Sequence, residues 1–162
     1  MAKNSTWSKE YDCHPDKLYG VITSGDFHKA RSALLDNPKT EIKEISETDD
    51  VRKFEVHATE YAKGITGVDK SKTEQSVGYY TCYKKKRTVE WNYIGAQGKR
   101  AKVWGDMAVV ETSKGARVTQ NFNVDIKIPL LGGKIEKIVS EKTAEFWPRY
   151  EKLVDEWVAK AQ

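Results

Sequence analysis

Between Arg117 and Ile128 the chain alternates: Val118, Gln120, Phe122, Val124, Ile126 and Ile128 interleave with Thr119, Asn121, Asn123, Asp125 and Lys127. A period of two sends neighbouring side chains to opposite faces, so this segment is a strand with one buried and one wet side. It then meets Pro129, two leucines and Gly132-Gly133, after which the period changes. Ile135, Ile138, Val139, Phe146, Tyr150, Leu153, Val154 and Trp157 recur at three and four residues, the spacing of a long amphipathic helix. Proline cannot donate to a ladder, and glycines permit a tight reversal. A sheet with one apolar face needs a cover, and a chain that turns back here supplies its own. Pro148 falls inside the helix and predicts a kink, which suits a curved sheet.

The upstream chain fits the same plan. Thr6 to Tyr11 reads as a strand with Trp7, Lys9 and Tyr11 on one face. Pro15 opens a helix carrying Leu18, Val21 and Ile22; Ser24-Gly25-Asp26 breaks it, Asp26 is predicted to cap a second helix with a Phe27, Ala30, Leu34 stripe, and Asn37-Pro38 ends that one. Period two then takes over. Ile42 and Glu44 pair with Phe54, Val56 and Ala58 through a turn at Thr48 to Asp50. Glu60 to Thr73, with Gly64 and Gly67 among charges, reads as a loose loop or edge strand. Gln75 to Tyr83 and Thr88 to Ile94 form a hairpin around "KKKR", and Lys102 to Thr112 pairs with Arg117 to Ile128. One strand, two short helices, about six antiparallel strands and a terminal helix is an α+β order. With 162 residues and neither repeat nor linker, a single domain over residues 1–162 is expected.

Several function classes drop out at this level. No stretch approaches the ~18 consecutive apolar residues of a membrane span, and "MAKNSTWSKEYDC" lacks a signal-type apolar run, so a cytoplasmic, unanchored protein is expected. Cys13 and Cys82 lack metal-ligand or disulfide-framework spacing and read as thiols. The net charge of +4 is not concentrated enough to predict nucleic-acid binding. His14, His28 and His57 stand in no recognisable catalytic spacing, and there is no Ser-His-Asp order, metal cluster or phosphate-binding glycine loop. No catalytic residue, metal or cofactor is therefore assigned. "KKKR", Lys84 to Arg87, reads as a solvated turn that discourages edge pairing; the alternative is a transient contact with a membrane surface or an acidic partner.

Two stretches carry a likeness that periodicity does not. "YDCHPDKLYGVIT", Tyr11 to Thr23, resembles the opening of START-like proteins, the SRPBCC or polyketide cyclase-like superfamily, where a first strand meets a Pro-led helix. "VDIKIPLLGGKIEKIVSEKTAEF", Val124 to Phe146, is similar to one bacterial branch of that superfamily, a domain of unknown function, whose last strand enters its last helix through a Val-Pro-Leu-Val-Gly-Gly-Lys-type junction. Element order agrees over nearly the whole chain. The resemblance implies a helix-grip fold: a seven-stranded curved antiparallel sheet wrapped around a long C-terminal helix, two short helices after the first strand, and an apolar cavity between. Members of the superfamily bind lipids, sterols, plant hormones and polyketides, cyclise polyketides or assist chaperones, so the fold implies a cavity more than a chemistry.

If that cavity exists, its candidate walls are Phe54, Val56, Phe122 and Val124 from the inward faces, Tyr79, Trp91, Tyr93 and Trp104 (with Tyr83) from the middle hairpins, and Ile138, Phe146 and Tyr150 from the helix. The plainer reading is that these rings fill a core. Gln120 interrupts the apolar side of its strand and would either orient a ligand or bond to backbone or water. Lys142 interrupts the helix stripe and would either meet a ligand carboxylate or reach out to solvent. Asp106 is the mid-strand carboxylate available for acid–base work, unless it lies on the solvated face. The expected function is binding, transport or sensing of a hydrophobic or amphipathic, lipid-like small molecule. The alternatives are a cyclase- or hydrolase-type enzyme acting on a polyketide-like substrate, and a protein-interaction module whose cavity is filled.

Overall fold

In the computed structural model, which describes residues 2–64 and 67–161, the chain forms strand β1 (Lys3–Tyr11), helices α1 (Pro15–Thr23) and α2 (Gly25–Leu34), strands β2 (Lys39–Glu47), β3 (Val51–Gly64), β4 (Gly67–Tyr83), β5 (Thr88–Ile94), β6 (Ala101–Thr112) and β7 (Gly115–Ile126), and helix α3 (Gly132–Lys160). The seven strands make one curved antiparallel sheet in the order β1-β7-β6-β5-β4-β3-β2, so the first strand closes beside the last. α1, α2 and α3 lie on its inner face.

Local chemistry sets the helix ends. His14 accepts a hydrogen bond from the Asp16 amide ahead of Pro15, so α1 starts capped, with proline where no partner is needed. Ser24 ends α1 and caps α2 by accepting from the Phe27 amide. Asp26 is therefore not the cap; it sits in the first turn, where its charge suits the helix dipole. The buried face of α2 also differs from the Phe27, Ala30, Leu34 stripe. Phe27, His28 and Ser32 are buried, and Ser32 is held by Asn37 at 2.8 Å and Thr40 at 2.5 Å.

Of the two readings of Glu60 to Thr73, the described residues are strand and not a loose loop. β3 and β4 continue pairing from Tyr61↔Thr73 to Gly64↔Gly67, with a bulge after Tyr61; residues 65–66 lie outside the described ones. Glu60 is buried at its base, but residues 67–73 are exposed, so that stretch has no side to bury and its sequence shows no clean alternation. The core gathers between the sheet and the helices, where Leu18, Phe27, Phe54, Val118, Tyr150 and Val154 are almost wholly excluded from water.

The Pro129 to Gly133 reversal is a built joint. Gly132 presses against the end of β7: a Cβ there would lie 2.3 Å from the Ile126 carbonyl oxygen. One turn on, buried Glu136 accepts a hydrogen bond from the Ile126 amide at 2.9 Å. The helix is thus tied to the strand through the Ile126 amide and packed tightly against the Ile126 carbonyl, which lays it back over the sheet. α3 continues through Pro148, where the Ala144 carbonyl loses its helical donor on an exposed face.

Candidate functional site

Across the sheet, pairing brings Phe54, Tyr80, Trp91, Gly105 and Phe122 into one line on the inner face. Their rings form a continuous strip. Phe54 stacks on Tyr80 with centroids 4.9 Å apart, Tyr80 lies 6.4 Å from Trp91, and Trp91 lies 5.8 Å from Phe122. The absence of a side chain at Gly105 makes room for this: a Cβ there would meet Trp91 at 2.6 Å. The neighbouring line holds Cys82, Val89, Met107 and Gln120.

Helices close the space from above. α2 brings His28 and Arg31, α1 brings Ile22 and Thr23, and α3 brings Trp147 and Tyr150. The enclosed volume is about 30 Å³, room for water rather than for an organic molecule, and smaller than the sequence leads one to expect.

Its polar groups are few and mostly neutral. Gln120 donates its side-chain amide to the Tyr150 hydroxyl. Burial, which disfavours charge, raises the Tyr150 pKa to about 12. Burial, with help from Arg31 and Arg52, pushes the His28 pKa down to about 3, and its ring packs 4.6 Å from Tyr80 and 5.1 Å from Phe54. Burial likewise raises the Cys82 thiol. Arg31 is the cation of the set. Its guanidinium lies 5.5 Å from the Phe146 ring centroid, and it makes no ion pair among the described residues. Among the described residues no carboxylate lines the space and there is no metal-holding cluster.

Of the candidates drawn from the sequence, Phe54, Trp91, Gln120, Phe122 and Tyr150 surround this space. Val56, Tyr93 and Val124 lie on the same face one line further on, opposite Gly78 and Val103, and the Tyr93 hydroxyl donates to Glu60 at 2.5 Å. Phe146 packs 5.7 Å from Tyr150, and Ile138 is half-buried on α3.

Five candidates point elsewhere. Tyr79 and Trp104 share the outer line with Glu55, Asn92 and Asn123, because strand parity gives the inner face to Tyr80 and Gly105. Trp104 carries the Lys102 ammonium 4.6 Å above its ring. Tyr83 is outward too and donates toward Glu90 at 3.4 Å. Lys142 reaches into solvent, 3.4 Å from Glu145, because its position on α3 faces away from the sheet. Asp106 lies on the solvated face and accepts from Asn121 at 2.9 Å.

Ile22, Thr23, His28, Arg31, Tyr80, Cys82, Val89, Met107 and Trp147 are the lining residues that sequence reasoning missed. Tyr80 has the parity of Cys82, a usable signal in "GYYTCY". His28 and Arg31 are three apart on one helical face, but neither registers in an apolar stripe.

Residues 6–158 match the model of a family described as "Protein of unknown function (DUF2505)". No curated protein matches the chain. Among solved structures it is similar to TTHA0849 from Thermus thermophilus, at 13% identity and TM-score 0.64, covering 100% of this chain and 99% of that one. It is also similar to the di-domain ARO/CYC StfQ from the steffimycin biosynthetic pathway, at 12% identity and TM-score 0.66, covering 99% of this chain but 52% of that longer one. A third is norcoclaurine synthase from Thalictrum flavum, at 13% identity and TM-score 0.59, covering 96% of this chain and 86% of that one. Likeness at these identities shows the fold alone, a helix grip.

Proposed function

The chain belongs to the DUF2505 family, and from that premise we propose that it binds a small amphipathic molecule between the sheet and α3, as a carrier or sensor. The observation that carries this reading is the strip of rings from Phe54 through Tyr80 and Trp91 to Phe122, with Gln120, Tyr150 and Arg31 around the same space. A flat apolar body stacks on the rings, and its polar end meets an amide, a hydroxyl and an arginine that has no carboxylate partner among the described residues. A guest larger than about 30 Å³ enters by displacing part of the cover.

The cover is unevenly attached. In the first half of α3 the buried residues are Gly132, Glu136 and Thr143, none of them a large apolar side chain, whereas the second half buries Tyr150, Val154 and Val158. Pro148 stands between the halves and weakens their backbone continuity. Lifting the first half therefore exposes less apolar surface than lifting the second. In the widened space Val56, Tyr93, Val124, Ile138 and Phe146 join the wall.

The small enclosed volume favours a second reading, a protein-interaction module with a filled cavity. The enzyme reading has less behind it: no carboxylate reaches the space, and His28 is held neutral well below pH 7. The aromatase/cyclase and synthase activities named for the neighbours belong to those proteins. Purified protein extracted with organic solvent for mass spectrometry, combined with titration of 1-anilinonaphthalene-8-sulfonate, separates the readings. Saturable probe binding, competed by an extracted compound and weakened at least fivefold by Trp91→Ala, supports the carrier. No extract and no saturable binding leaves the filled module.

A further inference from the structure

The joint between β7 and α3 leaves a feature that neither folding nor the cavity uses. Leu130 is fully exposed and adopts a left-handed backbone conformation, φ 65°, and Leu131 beside it is also exposed. A branched residue in that region costs roughly 1–2 kcal/mol that glycine or asparagine would avoid. A leucine placed there, with its side chain wholly in water, is a poor choice for folding alone.

Its surroundings are basic. The Lys127 amide donates to the Arg100 carbonyl at 2.7 Å, so the β5–β6 connection and the β7–α3 joint form one tip. Lys99, Arg100, Lys127 and Lys134 are exposed there. Residues 94–102 and 126–135 contain no aspartate or glutamate. The long β3–β4 hairpin at the same end carries both signs, so the positive charge concentrates on the joint rather than over the whole end.

Exposed leucines ringed by cations, without acids between them, complement a bilayer that offers hydrocarbon beneath anionic headgroups. We propose that this tip docks on anionic membrane surfaces, with Leu130 and Leu131 entering the headgroup boundary and the four basic side chains holding the lipid phosphates. The inference stands on this tip alone and does not depend on what the cavity holds. It also assigns the contact to the end of the molecule opposite the Lys84 to Arg87 turn.

Flotation with vesicles of phosphatidylcholine alone and with about 30% phosphatidylglycerol tests it, at low and at near-physiological salt. Binding is expected to the anionic vesicles and to fall with salt. Leu130→Asn with Leu131→Ser, chosen because asparagine tolerates the left-handed conformation, is expected to abolish binding while leaving the thermal transition in place. Each of Lys127→Ser and Lys134→Ser is expected to lower partitioning by roughly fivefold, the effect of one basic residue at such a surface. Lys85→Ser with Lys86→Ser, at the opposite end, is expected to change nothing. Absence of binding, binding that survives the leucine substitutions, or binding lost through Lys85 and Lys86 overturns the proposal. A self-associating wild type whose association is lost with the leucines overturns it as well, in favour of a second copy as occupant.

Discussion

Replacing Gly132 by alanine and replacing Gly133 by alanine are chemically the same change one residue apart, and the structure gives them opposite signs. At Gly132 a Cβ would lie 2.3 Å from the Ile126 carbonyl oxygen, and that atom is backbone that cannot rotate away. Ordinary contact begins near 3.4 Å, so the start of α3 must retreat by about 1 Å. That retreat also stretches the buried bond from the Ile126 amide to Glu136, now 2.9 Å. Overpacking of this kind costs about 1–3 kcal/mol, and weakening a hydrogen bond to a buried carboxylate adds to it. The helix preference of alanine over glycine returns roughly 0.5–1 kcal/mol, leaving a net loss of about 1–3 kcal/mol. At Gly133 no atom lies within 4 Å of the new methyl, so only the preference remains and the protein gains up to about 0.5–1 kcal/mol. Urea unfolding followed by circular dichroism reads both. A G132A midpoint at or above the wild type, or a G133A loss equal to that of G132A, refutes the joint as described.

His28 gives a pH dependence with a definite sign. Its pKa is lowered from 6.5 to about 3 in the fold, so the unfolded chain binds a proton that the native one refuses. The stability lost to this group grows as pH falls from about 6.5 toward 3 and reaches at most roughly 4–5 kcal/mol. With His28→Phe, which keeps a ring against Phe54 and Tyr80, the wild-type minus variant stability should be constant above pH 6.5 and fall progressively below it; parallel curves to pH 4 refute the assignment. Gly105→Ala should cost about 1–3 kcal/mol and alter tryptophan emission, because its methyl would meet the Asn121 carbonyl at 2.0 Å and Trp91 at 2.6 Å; an unchanged spectrum with wild-type stability would show that Trp91 does not lie on that glycine.

The change of period at Pro129 to Gly133 was readable because backbone chemistry announces it: a residue that cannot donate, then two that turn freely. The same stretch hid Glu136, since a lone acid in a charged helix reads as surface until the strand amide it meets is known. Polar burial defeated the reading of α2 in the same way, where His28 and Ser32 take positions that an apolar stripe assigns to Ala30 and Leu34. In the middle hairpins the difficulty was parity. Tyr79 and Tyr80 are adjacent and both large, so alternation does not say which is inside. Trp104 sits outward because the inner position beside it is a glycine cleared for Trp91. Cavity size depends on how closely the rings interlock, which residue spacing does not encode.

Hydrogen exchange along α3 tests most directly whether the cover can lift from the sheet. Amides between Lys134 and Trp147 should exchange through an opening far less costly than global unfolding, while those between Tyr150 and Val158 exchange near the global limit, and saturating anilinonaphthalene sulfonate should shift the first set alone. A helix that exchanges as one unit at the global limit, with or without the probe, would mean that the sheet and α3 part only when the protein unfolds, and no guest could enter.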